Sequence, residues 1–183
     1  MLLSTLLTAL SSAALTAAQL VPIGFQIQGS NYCMDVRDGV SEIGAVVQIW
    51  ECHGGPYQRW VVEYPTRVLD PGDLMGESQF SRIRWAGSQV DMEHSGYCLG
   101  FKTKDDEPFA TADPDSLWMT DLVLVDCARD GVGWYLHPQN KLCAYHHNGK
   151  DSYCMQLDGP ANNGVKVLVV APSWNEMAAR WVS

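Results

Sequence analysis

The sequence contains little charge, and positive charge is especially scarce. Charged residues make up 18% of the 183 residues, and 12 Lys and Arg oppose 21 Asp and Glu, which gives a net charge of -9. A typical share of charged residues is about 25%. Nucleic acids and anionic membrane surfaces are bound through basic patches, so neither is an expected partner.

Sequence signatures of common enzymes and metal sites are also missing. The chain has no Gly-x-Ser-x-Gly, no His-Glu-x-x-His, no phosphate-binding loop and no Cys-x-x-Cys. The acidic residues 105–107 are adjacent in one charged segment, unlike the two separated carboxylates of a glycosidase. The pair His146-His147 precedes Asn148-Gly149, a turn signal, and is interpreted as part of a loop rather than as metal ligands. We therefore expect a protein that is not an enzyme and has no cofactor and no bound metal.

A long apolar run occurs only at the start of the chain, where residues 1–18 carry no charged side chain. This run contains Ser and Thr and is shorter than the roughly 20 apolar residues that span a membrane. It ends in Thr16-Ala17-Ala18, small residues typical of a cleavage site, so we interpret it as a signal peptide. A signal anchor and an apolar first helix are the alternatives. The remaining domain, residues 19–183, is expected to be secreted and to have no membrane segment.

The cysteines agree with secretion. All six lie after the predicted signal peptide, and an even number in a secreted chain indicates three disulfides. The chain has no Asn-x-Ser/Thr sequon, so no N-linked glycan is expected.

An internal three-fold repeat organises the chain. Similar strings with Tyr-Cys at their centre occur at residues 31–34, 96–99 and 152–155, and each is followed by an apolar run and then by a Trp. The separation from Cys to Trp is equal in the first and third copies. It is longer in the second, where the acidic segment 102–116 is interpreted as an inserted surface loop. The three copies span about residues 23–64, 80–136 and 140–183, and their repeated Trp residues are expected in the core: Trp60, Trp134 and Trp181.

Short strands account for each copy. The first copy contains about four, at residues 25–29, 33–36, 46–50 and 59–62, and no part of residues 19–183 shows a clear helical period. One four-stranded unit cannot bury its apolar face alone, but three arranged around an axis can close and cap a barrel. The predicted fold is therefore all-β, a β-trefoil.

The first copy resembles a ricin-B-type lectin subdomain. The resemblance rests on CMDVRDG at residues 33–39, AVVQIWEC at residues 45–52 and the Gln-x-Trp motif Gln58-Arg59-Trp60. It covers roughly residues 23–183, strongly in the first copy and weakly in the other two. The family is a β-trefoil that mostly binds carbohydrate, often galactose-type sugars.

The resemblance implies a sugar site in the first copy, formed by Asp35, Gln48, Trp50 and Gln58. The chemistry is suitable, because a carboxylate accepts strong hydrogen bonds from hydroxyls, an indole covers an apolar sugar face, and amides both donate and accept. Three structural roles are alternatives: Asp35 as a surface carboxylate beside a turn, Trp50 as a packing residue and Gln58 as a fold-stabilising residue. Tyr57 stands where the family usually has Asn, which removes a hydroxyl contact or adds a second ring.

The other two copies lack these side chains. The residues at the positions of Asp35, Gln48, Trp50 and Gln58 are Gly100, Val123, Val125 and Val132 in the second copy and Gln156, Leu168, Val170 and Ala179 in the third. Apolar residues cannot pair sugar hydroxyls, so at most one sugar site is expected.

The repeat also predicts the disulfides. In the first two copies the Cys after Tyr pairs with the Cys that ends the next apolar run, which gives Cys33–Cys52 and Cys98–Cys127. The third copy has Pro172 in place of the second Cys, so Cys154 is left with Cys143.

Three functions are compatible with the sequence. The leading hypothesis is a secreted carbohydrate-binding protein with one site. The second is a non-catalytic, lectin-like accessory subunit that binds a larger secreted protein, similar in architecture to the small subunits of some secreted fungal oxidases such as two-subunit laccases. The third is a trefoil protease inhibitor that acts through the loop 102–116.

Overall fold

The computed structural model describes residues 22–63, 81–88, 96–102, 119–128, 132–136, 139–145, 152–170 and 179–182. The predicted signal peptide, most of the predicted loop 102–116, the pair His146-His147 and Pro172 lie outside the described residues.

Twelve strands are found in the described part of the chain, and four fall within each predicted copy. They are β1 (Gln26–Ile27), β2 (Tyr32–Val36), β3 (Val47–Glu51), β4 (Trp60–Glu63), β5 (Arg82–Trp85), β6 (Tyr97–Phe101), β7 (Thr120–Asp126), β8 (Trp134–Leu136), β9 (Leu142–Tyr145), β10 (Ser152–Leu157), β11 (Val167–Val170) and β12 (Trp181–Val182). The four strands predicted in the first copy correspond to β1–β4, with ends that agree to within two residues.

The strand pairing has three-fold symmetry. Each copy contributes one antiparallel hairpin from its second and third strands: β2–β3, β6–β7 and β10–β11. Consecutive copies are joined by antiparallel pairs of the last strand of one copy with the first strand of the next: β4–β5, β8–β9 and β12–β1. Three bridges link the start of each copy to its last strand: Ile23–Trp60, Ser81–Trp134 and Lys141–Arg180. The predicted all-β trefoil is therefore confirmed.

The three repeated tryptophans lie at the centre of the core, as predicted, because each is at most 1% exposed. The indole N–H of Trp60 donates to the carbonyl of Met34 at 3.3 Å, and that of Trp134 donates to the carbonyl of Leu99 at 3.1 Å. These bonds connect the last strand of a copy to its own hairpin. In the third copy, the Trp181 indole N–H has no acceptor among the described residues.

The three disulfides join the cysteines that the repeat pairs: Cys33–Cys52, Cys98–Cys127 and Cys143–Cys154. In the third copy the bridge connects directly opposed residues of β9 and β10.

The two faces of the β2–β3 hairpin differ in character. Met34, Val36, Val47 and Ile49 point inward and are fully buried in the main core. Because side chains alternate along a strand, Asp35, Gln48 and Trp50 lie on the opposite, outer face. The hairpin thus holds the core with one face and presents the predicted site residues with the other.

Candidate functional site

The outer face of the β2–β3 hairpin brings three of the predicted polar residues together. Asp35 is directly opposite Gln48, whose Nε2 donates to the Asp35 carboxylate at 3.1 Å. Gln58, in the turn Pro56–Gln58, lies near enough to this carboxylate to lower its pKa. All three residues are buried, with exposed fractions of 3%, 4% and 2%. Asp35 is therefore a buried residue one position before the end of β2, and its interpretation as a surface carboxylate is wrong.

The two glutamine amides are occupied within the protein. Gln48 Oε1 accepts from Arg37 Nε at 3.0 Å, while its Nε2 is engaged by Asp35. Gln58 Oε1 accepts from the backbone N–H groups of His53 and Gly54 at 2.9 and 3.3 Å, and its Nε2 donates to the Glu51 carbonyl at 3.0 Å. Both glutamines therefore fix the geometry around Asp35. A direct contact of either one with a sugar stays a prediction.

The Asp35 carboxyl is shielded from solvent, and this burial raises its pKa above the ordinary value of 3.8. Hydrogen bonds from Gln48 and Gln58 and the charge of His53 oppose the shift, and the nearby Asp38 adds to it. His53 Nε2 lies 3.8 Å from Asp35 Oδ2, and the imidazole is 45% exposed. Its Nδ1 accepts from the Gly55 backbone N–H at 3.0 Å, so in neutral His53 the proton is on Nε2, the nitrogen nearer the carboxylate.

Two aromatic side chains are exposed beside this polar cluster. Trp50 is 40% exposed and Tyr57 is 42% exposed. The Tyr57 ring packs over Gly39 so closely that a Cβ on Gly39 would overlap it. Gly39 also has a φ of +63° in a turn where Asp38 is left-handed as well. Both its backbone conformation and the close Tyr57 ring therefore favour glycine at this position. Tyr57 is therefore held as a surface ring, and Trp50 is too exposed to be a core packing residue.

Among the described residues, the other two copies have no equivalent polar cluster. The strand pairing aligns Asp35–Gln48 with Gly100–Val123 in the second copy and with Gln156–Leu168 in the third. In the second copy a Cβ on Gly100 would lie 2.6 Å from both methyl carbons of Val125, which fills the space. The outer face there is a buried apolar cluster of Cys98, Val123, Val125 and Cys127.

Three residues of the site region are absent from the sequence-based prediction. Arg37 lies two residues after Asp35, a spacing that strand alternation places on the same face, and His53 directly follows a predicted disulfide cysteine. Asn163 belongs to the third copy, yet its Oδ1 accepts from the Glu51 backbone N–H at 2.8 Å. No local sequence signal could have revealed Asn163, because only the fold brings it to the first copy. No group of His, Cys, Asp and Glu suited to a metal ion occurs among the described residues.

No protein-family model matches the chain, and no curated protein sequence matches it significantly. Solved structures do match. The β-trefoil lectin of the Vibrio vulnificus hemolysin/cytolysin, with N-acetyl-D-lactosamine bound, is 20% identical with a TM-score of 0.53, over 90% of this chain and 94% of that one. The Rhizoctonia solani agglutinin is 11% identical with a TM-score of 0.56, over 91% and 97% of the two chains. The designed three-fold symmetric protein ThreeFoil is 13% identical with a TM-score of 0.55, over 87% and 96%.

At these identities the solved structures establish the fold that this chain shares with them. The resemblance to ricin-B-type lectin domains is thereby confirmed at the level of the β-trefoil, and the ligand of this chain is a separate question.

Proposed function

We propose that this protein is a secreted, non-catalytic, lectin-like protein that binds carbohydrate at one site, in its first copy. The observation that carries the proposal is the buried Asp35 carboxylate, which accepts from the buried Gln48 amide beside the exposed rings of Trp50 and Tyr57. A fixed carboxylate accepts hydrogen bonds from adjacent sugar hydroxyls, and an exposed indole covers the apolar face of a pyranose.

The other two copies show which residues the fold tolerates at the position of Asp35. Burying a carboxylate is unfavourable, and its raised pKa reflects that cost. The other two copies form the same hairpin with Gly100 and Gln156 at this position, so the trefoil does not require a carboxylate there. The buried Asp35 carboxylate is unfavourable for stability and is not required by the fold, and this combination supports a role in binding.

The comparisons support the same class of ligand. Two of the similar structures are a lectin and an agglutinin, and the lectin has N-acetyl-D-lactosamine bound. The ricin-B-type resemblance of the first copy also implies galactose-type sugars. We therefore propose a terminal galactose-type residue as the first ligand to be tested.

A glycan array tests the proposal, followed by calorimetry on the glycans that bind. The variant Asp35→Asn should lose most of the affinity, whereas Gln156→Ala, at the equivalent position of the third copy, should bind like the parent. Absence of binding to every glycan, or equal binding by Asp35→Asn, would contradict the proposal.

Secretion is supported by the three disulfides, which form and persist in oxidising compartments. Within the described part of the chain, no helix has the length and apolar character needed to cross a membrane. Sequencing the N-terminus of the protein recovered from culture medium should show that it begins at Gln19.

An accessory-subunit role remains the second hypothesis, and none of the described contacts favours a particular protein partner. Mass analysis of the native secreted material by size-exclusion chromatography tests it, because a stable subunit would co-elute with a larger chain.

A further inference from the structure

A loop of the third copy lies beside the proposed sugar site. The backbone N–H of Ile49 donates to the Val165 carbonyl at 2.8 Å, and the N–H of Gly164 donates to the Ile49 carbonyl at 2.9 Å. These two bonds fix the loop between β10 and β11 against β3, the strand that carries Trp50. The surface next to Trp50 is therefore formed by two different copies.

Two exposed asparagines in this loop have fixed amide orientations. Asn163 Oδ1 accepts from the Glu51 backbone N–H at 2.8 Å, and Asn162 Oδ1 accepts from the Asn163 backbone N–H at 2.9 Å. Because a backbone N–H can only donate, each amide must present its oxygen to the protein, and its Nδ2 group is the end left for other partners. Within the part of the chain that the structure describes, neither Nδ2 group donates a hydrogen bond to the protein.

Gly164, the residue after Asn163, lies beside Trp50. A Cβ on Gly164 would lie 3.8 Å from Trp50 Cζ3 and 4.0 Å from Gln48 Oε1, so a side chain there would cover the edge of the indole. Gly164 also has a φ of +82°, which disfavours any other residue. Because Gly164 has no side chain, it does not cover this edge of the indole, and Asn163 is the preceding residue of the same loop.

We infer that Asn163, together with Asn162, forms a second subsite that binds the next sugar residue of an oligosaccharide. This inference rests on the proposed function, in which the first sugar lies against Trp50 and bonds to Asp35. The second residue would offer a hydroxyl or an acetamido carbonyl oxygen as an acceptor for Asn163 Nδ2. The preferred ligand is accordingly an oligosaccharide rather than a single sugar.

Calorimetry with a matched pair of sugars tests the inference. The probes are the best-bound oligosaccharide of the glycan array and the methyl glycoside of its terminal residue. The parent should bind the oligosaccharide about 2- to 10-fold more tightly, the value of one neutral hydrogen bond. Asn163→Asp keeps the oxygen that accepts from Glu51 and replaces only the donor. It should abolish this gain and change binding of the methyl glycoside less than about twofold.

The exposed Gln28 provides the control for the added negative charge. It lies in the β1–β2 turn and is held through its backbone by a bond to Arg180, so Gln28→Glu makes the same amide-to-acid change at a residue with no described contact to Trp50, Asn162 or Asn163. Gln28→Glu should retain the oligosaccharide gain, and thermal unfolding should show that both variants are folded.

The outcomes separate the two proposals. If no sugar binds, the proposed function fails and the subsite with it. If the methyl glycoside binds in an Asp35-dependent way but the oligosaccharide gains nothing, or if Asn163→Asp keeps the gain, only the subsite is refuted. If Asn163→Asp does not fold, Asn162→Asp takes its place, and an unchanged gain in that variant likewise refutes the subsite.

Discussion

Replacing the Asp35 carboxylate by an amide should separate binding from stability. Asp35→Asn has nearly the same shape and keeps an oxygen that can accept from Gln48 Nε2, a bond of 3.1 Å in the parent. It removes the charged acceptor that the sugar hydroxyls need. Hydrogen bonds to charged groups contribute about 1.5–3 kcal/mol, so the affinity should fall by on the order of tenfold to more than a hundredfold.

The same substitution, Asp35→Asn, should not lower the free energy of unfolding. Because the pKa of Asp35 is raised in the folded state, the folded protein holds this proton more tightly than the unfolded chain. Stability from this group is fully present below the ordinary pKa of 3.8 and is lost as the pH rises through the folded-state pKa. Asp35→Asn has no such loss. It should match the parent in urea unfolding at about pH 3 and be at least as stable as the parent at about pH 7.

Two results would refute this reasoning. Unchanged sugar affinity in a folded Asp35→Asn variant would place the site elsewhere and favour the accessory-subunit hypothesis. A variant that is markedly less stable than the parent at about pH 7, but not at about pH 3, would show that the ionised carboxylate stabilises the fold.

Four further predictions concern the rings, the charge, the number of sites and the disulfides. Trp50→Ala should lose sugar affinity to a similar extent as Asp35→Asn in calorimetry while its thermal unfolding stays near that of the parent, since the indole is 40% exposed; a large drop in stability would indicate a packing role. Sugar affinity should decline on acidification as Asp35 takes up a proton, beginning above pH 3.8 because its pKa is raised; affinity that holds below this value would exclude the carboxylate as the acceptor. A monodisperse monomer should not agglutinate cells, because cross-linking needs at least two sites; agglutination would mean that another copy binds. Replacing Cys98 and Cys127 together by Ser should lower the free energy of unfolding by about 2–4 kcal/mol in urea, and sugar binding in the first copy should persist.

Features that depend on the repeat could be predicted from the sequence. The match between Asp35, Gly100 and Gln156 came from spacing alone, and the strand register places all three opposite the residues expected. The disulfide pairs followed from the same alignment. These features are local to one copy, so a period in the sequence is enough to define them.

Features that depend on burial or on contacts between copies could not be predicted. The sequence identified Asp35 as a candidate sugar ligand with a surface carboxylate as the alternative, and neither interpretation included its 3% exposure. The contact of Asn163 with Glu51 joins residues that are 112 positions apart, and only the arrangement of copies around the three-fold axis creates it. A pattern within one copy contains no information about the burial of Asp35 or about the contact between Asn163 and Glu51.

The close fit of Gly100 under Val125 restricts how a sugar site could arise in the second copy, either by engineering or in evolution. Gly100→Asp alone would press a carboxylate against the two methyl groups that a Cβ already approaches to 2.6 Å, and would bury the charge without a partner. Removing the Val125 side chain alone would open a cavity in an apolar cluster. Each single step therefore lowers stability before any binding is gained, and only a concerted change at Gly100, Val123 and Val125 could avoid this. If the first copy binds sugar as proposed, this constraint on the second copy disfavours a further site there, and a protein with one site would cover a glycan surface without cross-linking it.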